Sequence, residues 1–185
     1  MDYSQPRVSI TVITALIAVV LQLIVAPAIT LFGVVPNFIL VAVVITALRN
    51  GPVRSTVTGF VLGIVFDLCS MGPMGAMTLV FTILAYAVSS LNRGGLAGNI
   101  IIDMFTMVVA ITLGEFLVSV IYAIAGANPE FLLSLVQRVL PAIVYDSIIG
   151  CLLLIVYNEV TKDRSRGPGS SMRSGRSLSR KLNKL

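Results

Sequence analysis

From Val8 to Leu48 the chain carries no charged residue, a run of 41 positions. One membrane-spanning helix needs about 20 predominantly apolar residues, so the run is long enough for two. Pro27, Gly33 and Pro36 stand where a turn between them belongs, because Pro and Gly interrupt helices. The rest of the chain is similar in character. Of its 185 residues 57% are apolar and only 11% charged, against about 25% charged in soluble domains. A fold of this size has too little interior to hide so much apolar surface, and the surplus must face lipid.

Breaks in the apolar runs divide the remainder. Arg49-Asn50-Gly51-Pro52-Val53-Arg54 is a polar break, and Pro52 suits the first turn of a helix, where its missing N–H is not needed. Cys69-Ser70-Met71-Gly72-Pro73 is a short turn. Asn92-Arg93-Gly94-Gly95, with Gly98-Asn99, forms a loop, and Gly126-Ala127-Asn128-Pro129-Glu130 forms another. The expected fold is an all-α integral membrane protein of six transmembrane helices, at about residues 8–27, 34–48, 53–68, 74–91, 100–125 and 138–158. Phe131–Gln137 is expected along the membrane interface. An alternative reading makes the first span a cleaved signal peptide with Ala26-Pro27-Ala28 at the cut, but its apolar run exceeds the 7–15 residues of a signal core.

Orientation follows from the basic residues, which accumulate on the cytoplasmic side. An even number of spans puts both termini on one side. That side then holds Arg7, Arg49, Arg54, Arg93 and eight tail residues, 12 of the 13 Lys and Arg, leaving Arg138 opposite. Both termini are therefore expected in the cytoplasm. Residues 1–158 form the membrane domain. Residues 159–185 form a Ser-, Gly- and Arg-rich tail with too few apolar residues to fold. The tail sets topology, and it is suited to attract anionic lipid, at about 1 kcal/mol per basic residue near the surface.

Composition also removes whole classes of function. There is no His, and the two cysteines, Cys69 and Cys151, cannot make a four-ligand zinc site or a disulfide framework. No nucleophile–base constellation is visible, so no catalytic, cofactor or metal residue is assigned. The basic excess lies in the tail rather than on a folded surface, so nucleic acid is not an expected partner.

Three acids fall within the expected spans: Asp67, Glu115 and Asp146. A charge in the bilayer core costs about 2.5–3.5 kcal/mol on insertion scales. Helix rise places all three, with Arg138, in the outer half of the membrane, and Arg138 is expected to neutralise one or more of the acids across helices. Ser55, Gly59, Gly63 and Asp67 recur every four residues, as do Arg138, Ala142, Asp146 and Gly150. Small residues at that spacing let helices approach closely in lipid. These acids serve as helix–helix glue, as a partner interface or as an ion path. No broken helix of the transporter kind supports the last.

Pro36-Asn37-Phe38 opens the second span, and Gly59-Phe60-Val61-Leu62-Gly63-Ile64-Val65-Phe66-Asp67 fills the third. Pro73-Met74-Gly75 starts the fourth, and Arg138-Val139-Leu140-Pro141 enters the last. In this order they resemble the rod shape-determining MreD family, over about residues 8–158 and most specifically over 36–75. The resemblance implies a non-enzymatic protein of the bacterial inner membrane. It would be a scaffold of the cell-elongation machinery, working with the bitopic protein MreC, with MreB and with the RodA–transpeptidase synthase in peptidoglycan synthesis and rod shape. By matching position Pro36, Gly59, Phe60, Gly63, Asp67 and Gly75 are its motif residues. Glu115, Arg138 and Asp146 join them as helix-packing or partner-interface candidates. The chain departs from the pattern at Asn37, where many relatives have Asp, and in its long basic tail.

A second reading is the substrate-binding component of a vitamin transporter, also a compact six-helix protein. Such components carry Ala-x-x-x-Ala spacing on the first helix, whereas here Ala15 is followed four residues on by Val19.

Overall fold

The computed structural model describes residues 5–30, 33–70, 72–92, 99–126 and 131–165. Every regular element among them is helical: α1 (Gln5–Val20), α2 (Phe38–Arg49), α3 (Pro52–Cys69), α4 (Ala76–Leu91), α5 (Ile100–Ile124), the short α6 (Phe131–Ser134) and α7 (Leu140–Ser165). α1 continues through a π turn at Leu21–Val25 into a 3-10 turn at Ala26–Ile29. A second π turn, Leu135–Val139, joins α6 to α7. The segment expected along the interface at Phe131–Gln137 therefore runs directly into the last helix.

Four stretches are long and apolar enough to cross a membrane: Ser9–Ile29, Pro52–Cys69, Ile100–Ile124 and Phe131–Thr161. The other two expected spans are shorter. α4 has 16 residues and α2 has 12; at about 1.5 Å per residue the latter is only about 18 Å long. The reason for the difference is burial. Phe38 through Leu48 are all buried, and α2 packs against α1, α3, α4 and α5. A helix sheathed in protein is apolar on every side, and periodicity alone does not separate it from one that faces lipid.

Such a helix must have its end groups satisfied internally, since each end leaves backbone groups without intrahelical partners and lipid offers none. At its N-terminus the Asn37 side chain accepts from the Leu40 N–H at 3.0 Å. At its C-terminus Asn92 Nδ2 donates to the Leu48 carbonyl at 2.7 Å, and Asn50 Nδ2 to the Thr46 carbonyl at 3.0 Å.

Around this axis the outer helices turn large apolar side chains outward, as a bilayer-facing surface requires. On α1 and its extension these include Leu16, Ile17 and Ile24, and on α5 Ile101, Phe105 and Leu113. The chain divides into a unit at Met1–Cys151 and a unit at Leu152–Leu185. The first contains all the site residues treated below. The second consists, in its described part, of the remainder of α7 to Ser165. The basic tail expected to be unfolded from residue 159 is helical to Ser165, as the last helix continues into it; the rest of the tail, and residues 93–98 and 127–130 of the expected loops, lie outside the described residues.

Candidate functional site

The α3–α4 hairpin is built on two glycines and one carboxylate. A Cβ on Gly59 would stand 2.6 Å from the Phe81 carbonyl oxygen, and one on Gly63 would overlap Thr78 Cα. Both positions thus let α3 and α4 approach backbone to backbone, the close packing that small residues allow in lipid. At the end of this contact sits Asp67, 6% exposed. Its Oδ2 accepts from the Gly75 N–H at 3.0 Å, the Thr78 N–H at 3.0 Å and the Thr78 hydroxyl at 2.6 Å. Its Oδ1 accepts from the Met77 N–H at 3.1 Å. Asp67 therefore serves the open N-terminus of α4, where donors point outward and the helix dipole favours negative charge. Gly75 precedes that helix with φ +89°, a backbone conformation open mainly to glycine.

This corrects one expectation. Among the described residues no carboxylate lies within 4.0 Å of Arg138, whereas Arg49 pairs with Asp103 at 2.6 Å. Asp67 is satisfied by the Thr78 hydroxyl and by three backbone N–H groups, and the latter leave no mark in a sequence. Arg49 ends α2 and Asp103 lies in the first turn of α5, so each charge also complements its own helix dipole. Asp103 is 1% exposed, and sequence reasoning passed over it. The usable signal was an acid one turn inside a span on the end rich in basic residues.

The remaining predicted residues gather at the other end of α2, around Asn37. The Asn37 N–H donates to Asp146 Oδ1 at 3.0 Å. Glu115 stands within electrostatic range of Asp146 and faces the Asn37 side chain. Beside them opens a cavity of about 1030 Å³, lined by Gln22, Pro36, Asn37, Glu115, Ser119, Tyr122 and Arg138 among others. Gln22 Nε2 donates to the Pro36 carbonyl at 3.2 Å, and the Tyr145 hydroxyl to the Ile29 carbonyl at 2.8 Å. These bonds tie the end of α1 to the start of α2 and to α7. The stripe on α7 faces inward from Ala142 onward: Ala142 and Asp146 are buried, and Gly150 packs against Met107 and Ile111. No cluster of three His, Cys, Asp or Glu occurs among the described residues.

The structure thus assembles Pro36, Glu115 and Arg138 around one cavity, with Asp146 close to its wall, and joins Gly59, Gly63, Asp67 and Gly75 in the α3–α4 hairpin. Phe60 belongs to neither group. It is 49% exposed and lines a shallow groove of about 510 Å³ with Ile64, Leu68, Met74, Thr78 and Leu79. Asn37, Gln22 and Ser119 were not singled out as site residues. Asn37 was visible as a polar residue before an apolar run, the signature of a helix N-cap; the other two carry no such signature.

A family model described as rod shape-determining protein MreD matches residues 4–161. No curated protein and no solved structure matches the chain significantly.

Proposed function

The chain belongs to the MreD family of rod shape-determining membrane proteins, and on that footing we propose that it is a non-enzymatic scaffold of the cell-elongation machinery in the bacterial inner membrane. It holds the transmembrane helix of a bitopic, MreC-like protein against the α3–α4 face and so helps to organise peptidoglycan synthesis. MreB and the RodA–transpeptidase synthase are further members of that assembly. Six helices pass through the membrane with both termini cytoplasmic, α2 and α4 being the short central passes.

The observation that carries the reading is Phe60. The other motif residues on α3 have tasks inside the chain: Gly59 and Gly63 admit α4, and Asp67 holds its first turn. Phe60 has its ring half-exposed at the groove, next to Ile64 and Leu79. Lipid offers no hydrophobic drive for helix association, so packing shape and local polarity decide it. A groove with an aromatic wall, a threonine floor at Thr78 and Thr82 and a carboxylate at one end supplies both.

Membrane pull-down of the tagged chain tests this. A single-span partner is expected to co-purify, and depletion of the chain is expected to round rod-shaped cells. Recovery of no single-span protein, together with normal shape on depletion, would overturn it. The vitamin-carrier reading draws on the expected six-helix architecture and on the cavity, whereas the scaffold reading draws on the family and on the motif residues together.

A further inference from the structure

We propose that the cavity at the Asn37 end of α2 binds a small zwitterion, one that carries a protonated amine beside an anionic phosphate or carboxylate. This site is independent of the α3–α4 face proposed to hold a partner helix.

The cavity's lining mixes apolar side chains with a concentration of polar ones. Gln22, Asn37, Glu115, Ser119, Tyr122 and Arg138 converge on it from four different segments. Its volume, about 1030 Å³, is at the upper end of the range of small-molecule sites.

Ser119 supplies a second and separate observation. It is 6% exposed and lines the cavity, and its hydroxyl has no hydrogen-bond partner. A buried helical serine or threonine usually donates back to the carbonyl one turn before it. Ser89 and Thr46 of this chain do so, at 2.6 and 3.0 Å. Ser119 does not, and a buried hydroxyl without a partner is costly. Gln22 Oε1, on another residue of the lining, is likewise buried and unpartnered. Two acceptors are therefore held ready for an N–H donor.

Backbone geometry points to the same place. The π turn at Leu21–Val25 contains Gln22, and that at Leu135–Val139 contains Arg138. Such turns are rare and concentrate at functional sites, because they re-aim side chains at the expense of regular hydrogen bonding. Both π turns in the described chain present a polar residue to this one cavity.

The charges choose the ligand class. Glu115, with Asp146 in electrostatic range, contributes a carboxyl group that a bound ammonium would hold ionised. Arg138, with no carboxylate within 4.0 Å among the described residues, contributes a positive charge. A simple cation would be repelled at Arg138, and a simple anion would leave the Glu115 carboxyl group without a partner. A molecule carrying both signs meets each with its opposite, its amine also reaching Ser119 and Gln22. The headgroup of an aminophospholipid and a free aminophosphate share this chemistry.

Native mass spectrometry of the purified full-length chain tests the site, with phosphatidylethanolamine, phosphatidylglycerol and soluble phosphoethanolamine added in separate arms. One of the two amine-bearing probes is expected to bind at least about tenfold more tightly than phosphatidylglycerol. Binding of phosphatidylethanolamine alone assigns a lipid source, and binding of phosphoethanolamine assigns a free one. Arg138→Gln and Ser119→Ala are expected to weaken that binding by about tenfold. Ser119→Ala removes a hydroxyl that has no partner in the protein, so its melting temperature serves as the folding control and stays unchanged. No preference for either amine-bearing probe, or equal binding by both variants and the parent, would overturn the proposal.

Discussion

Thr78 and Asp67 share one oxygen twice: the Thr78 hydroxyl donates to Asp67 Oδ2 at 2.6 Å and the Thr78 N–H to the same atom at 3.0 Å. With the Gly75 and Met77 N–H groups on the same carboxylate, Asp67 closes the first turn of α4. Asp67→Ala would leave buried donors without an acceptor. It is expected to destabilise the protein by about 2–4 kcal/mol, and Thr78→Val by about 1 kcal/mol. Thermal unfolding in detergent checks both. A Thr78→Val loss as large as that of Asp67→Ala would mean that the backbone N–H groups do not matter.

The glycines of α3 should respond to size rather than polarity. Gly63→Ala would drive a methyl group into Thr78 Cα, backbone that cannot move without parting the helices. The expected result is a loss of about 2 kcal/mol or more, within or above the usual range for overpacking. Gly75 has open space around it but a φ of +89°. Gly75→Ala should lose only the left-handed backbone term, about 1–2 kcal/mol. A melting series that ranks Gly75→Ala below Gly63→Ala in stability would contradict this assignment.

At the other end of α2, Asp103→Asn should weaken the Arg49 ion pair. Breaking a buried pair by removing one partner costs about 3–5 kcal/mol. Arg49 keeps 24% of its side chain exposed, so about 2–3 kcal/mol is expected after solvent screening. Denaturation monitored by helical signal checks it. Stability unchanged in Asp103→Asn would show the pair to be dispensable.

These three contacts also mark how far the sequence could be read. The apolar run from Val8 to Leu48 announces membrane helices, and the four-residue spacing of Ser55, Gly59, Gly63 and Asp67 announces an inward face. Three of those residues pack against or bond to α4, and Ser55 is buried. What Asp67 bonds to was not legible. Arg138 is the conspicuous opposite charge, yet three of the four groups that reach Asp67 are backbone N–H donors, which every residue but proline carries. The length of α2 was hidden for a related reason. A helix buried on all sides and one bathed in lipid show the same unbroken apolarity, and only the surrounding helices distinguish them. The cavity is the least legible part. Its residues come from positions as distant as Gln22 and Arg138, and the π turns that aim these two have no sequence signature.

Topology yields a further expectation. With six passes, Gly51 and Met74, at opposite ends of α3, lie on opposite sides of the membrane. In a background lacking Cys69 and Cys151, an impermeant maleimide applied to intact spheroplasts should label Met74→Cys and not Gly51→Cys. After permeabilisation it should label both. Labelling of both before permeabilisation would remove the span count.

The central claim is that the α3–α4 face holds a partner's transmembrane helix, and site-specific photo-crosslinking in living cells tests it most directly. A photoreactive residue at Phe60, Ile64 or Leu79 should capture a single-span, MreC-like protein, whereas the same residue at Phe105 or Leu113 on the exposed side of α5 should not. Crosslinks to that protein from the α5 positions alone, or from neither face, would contradict the account.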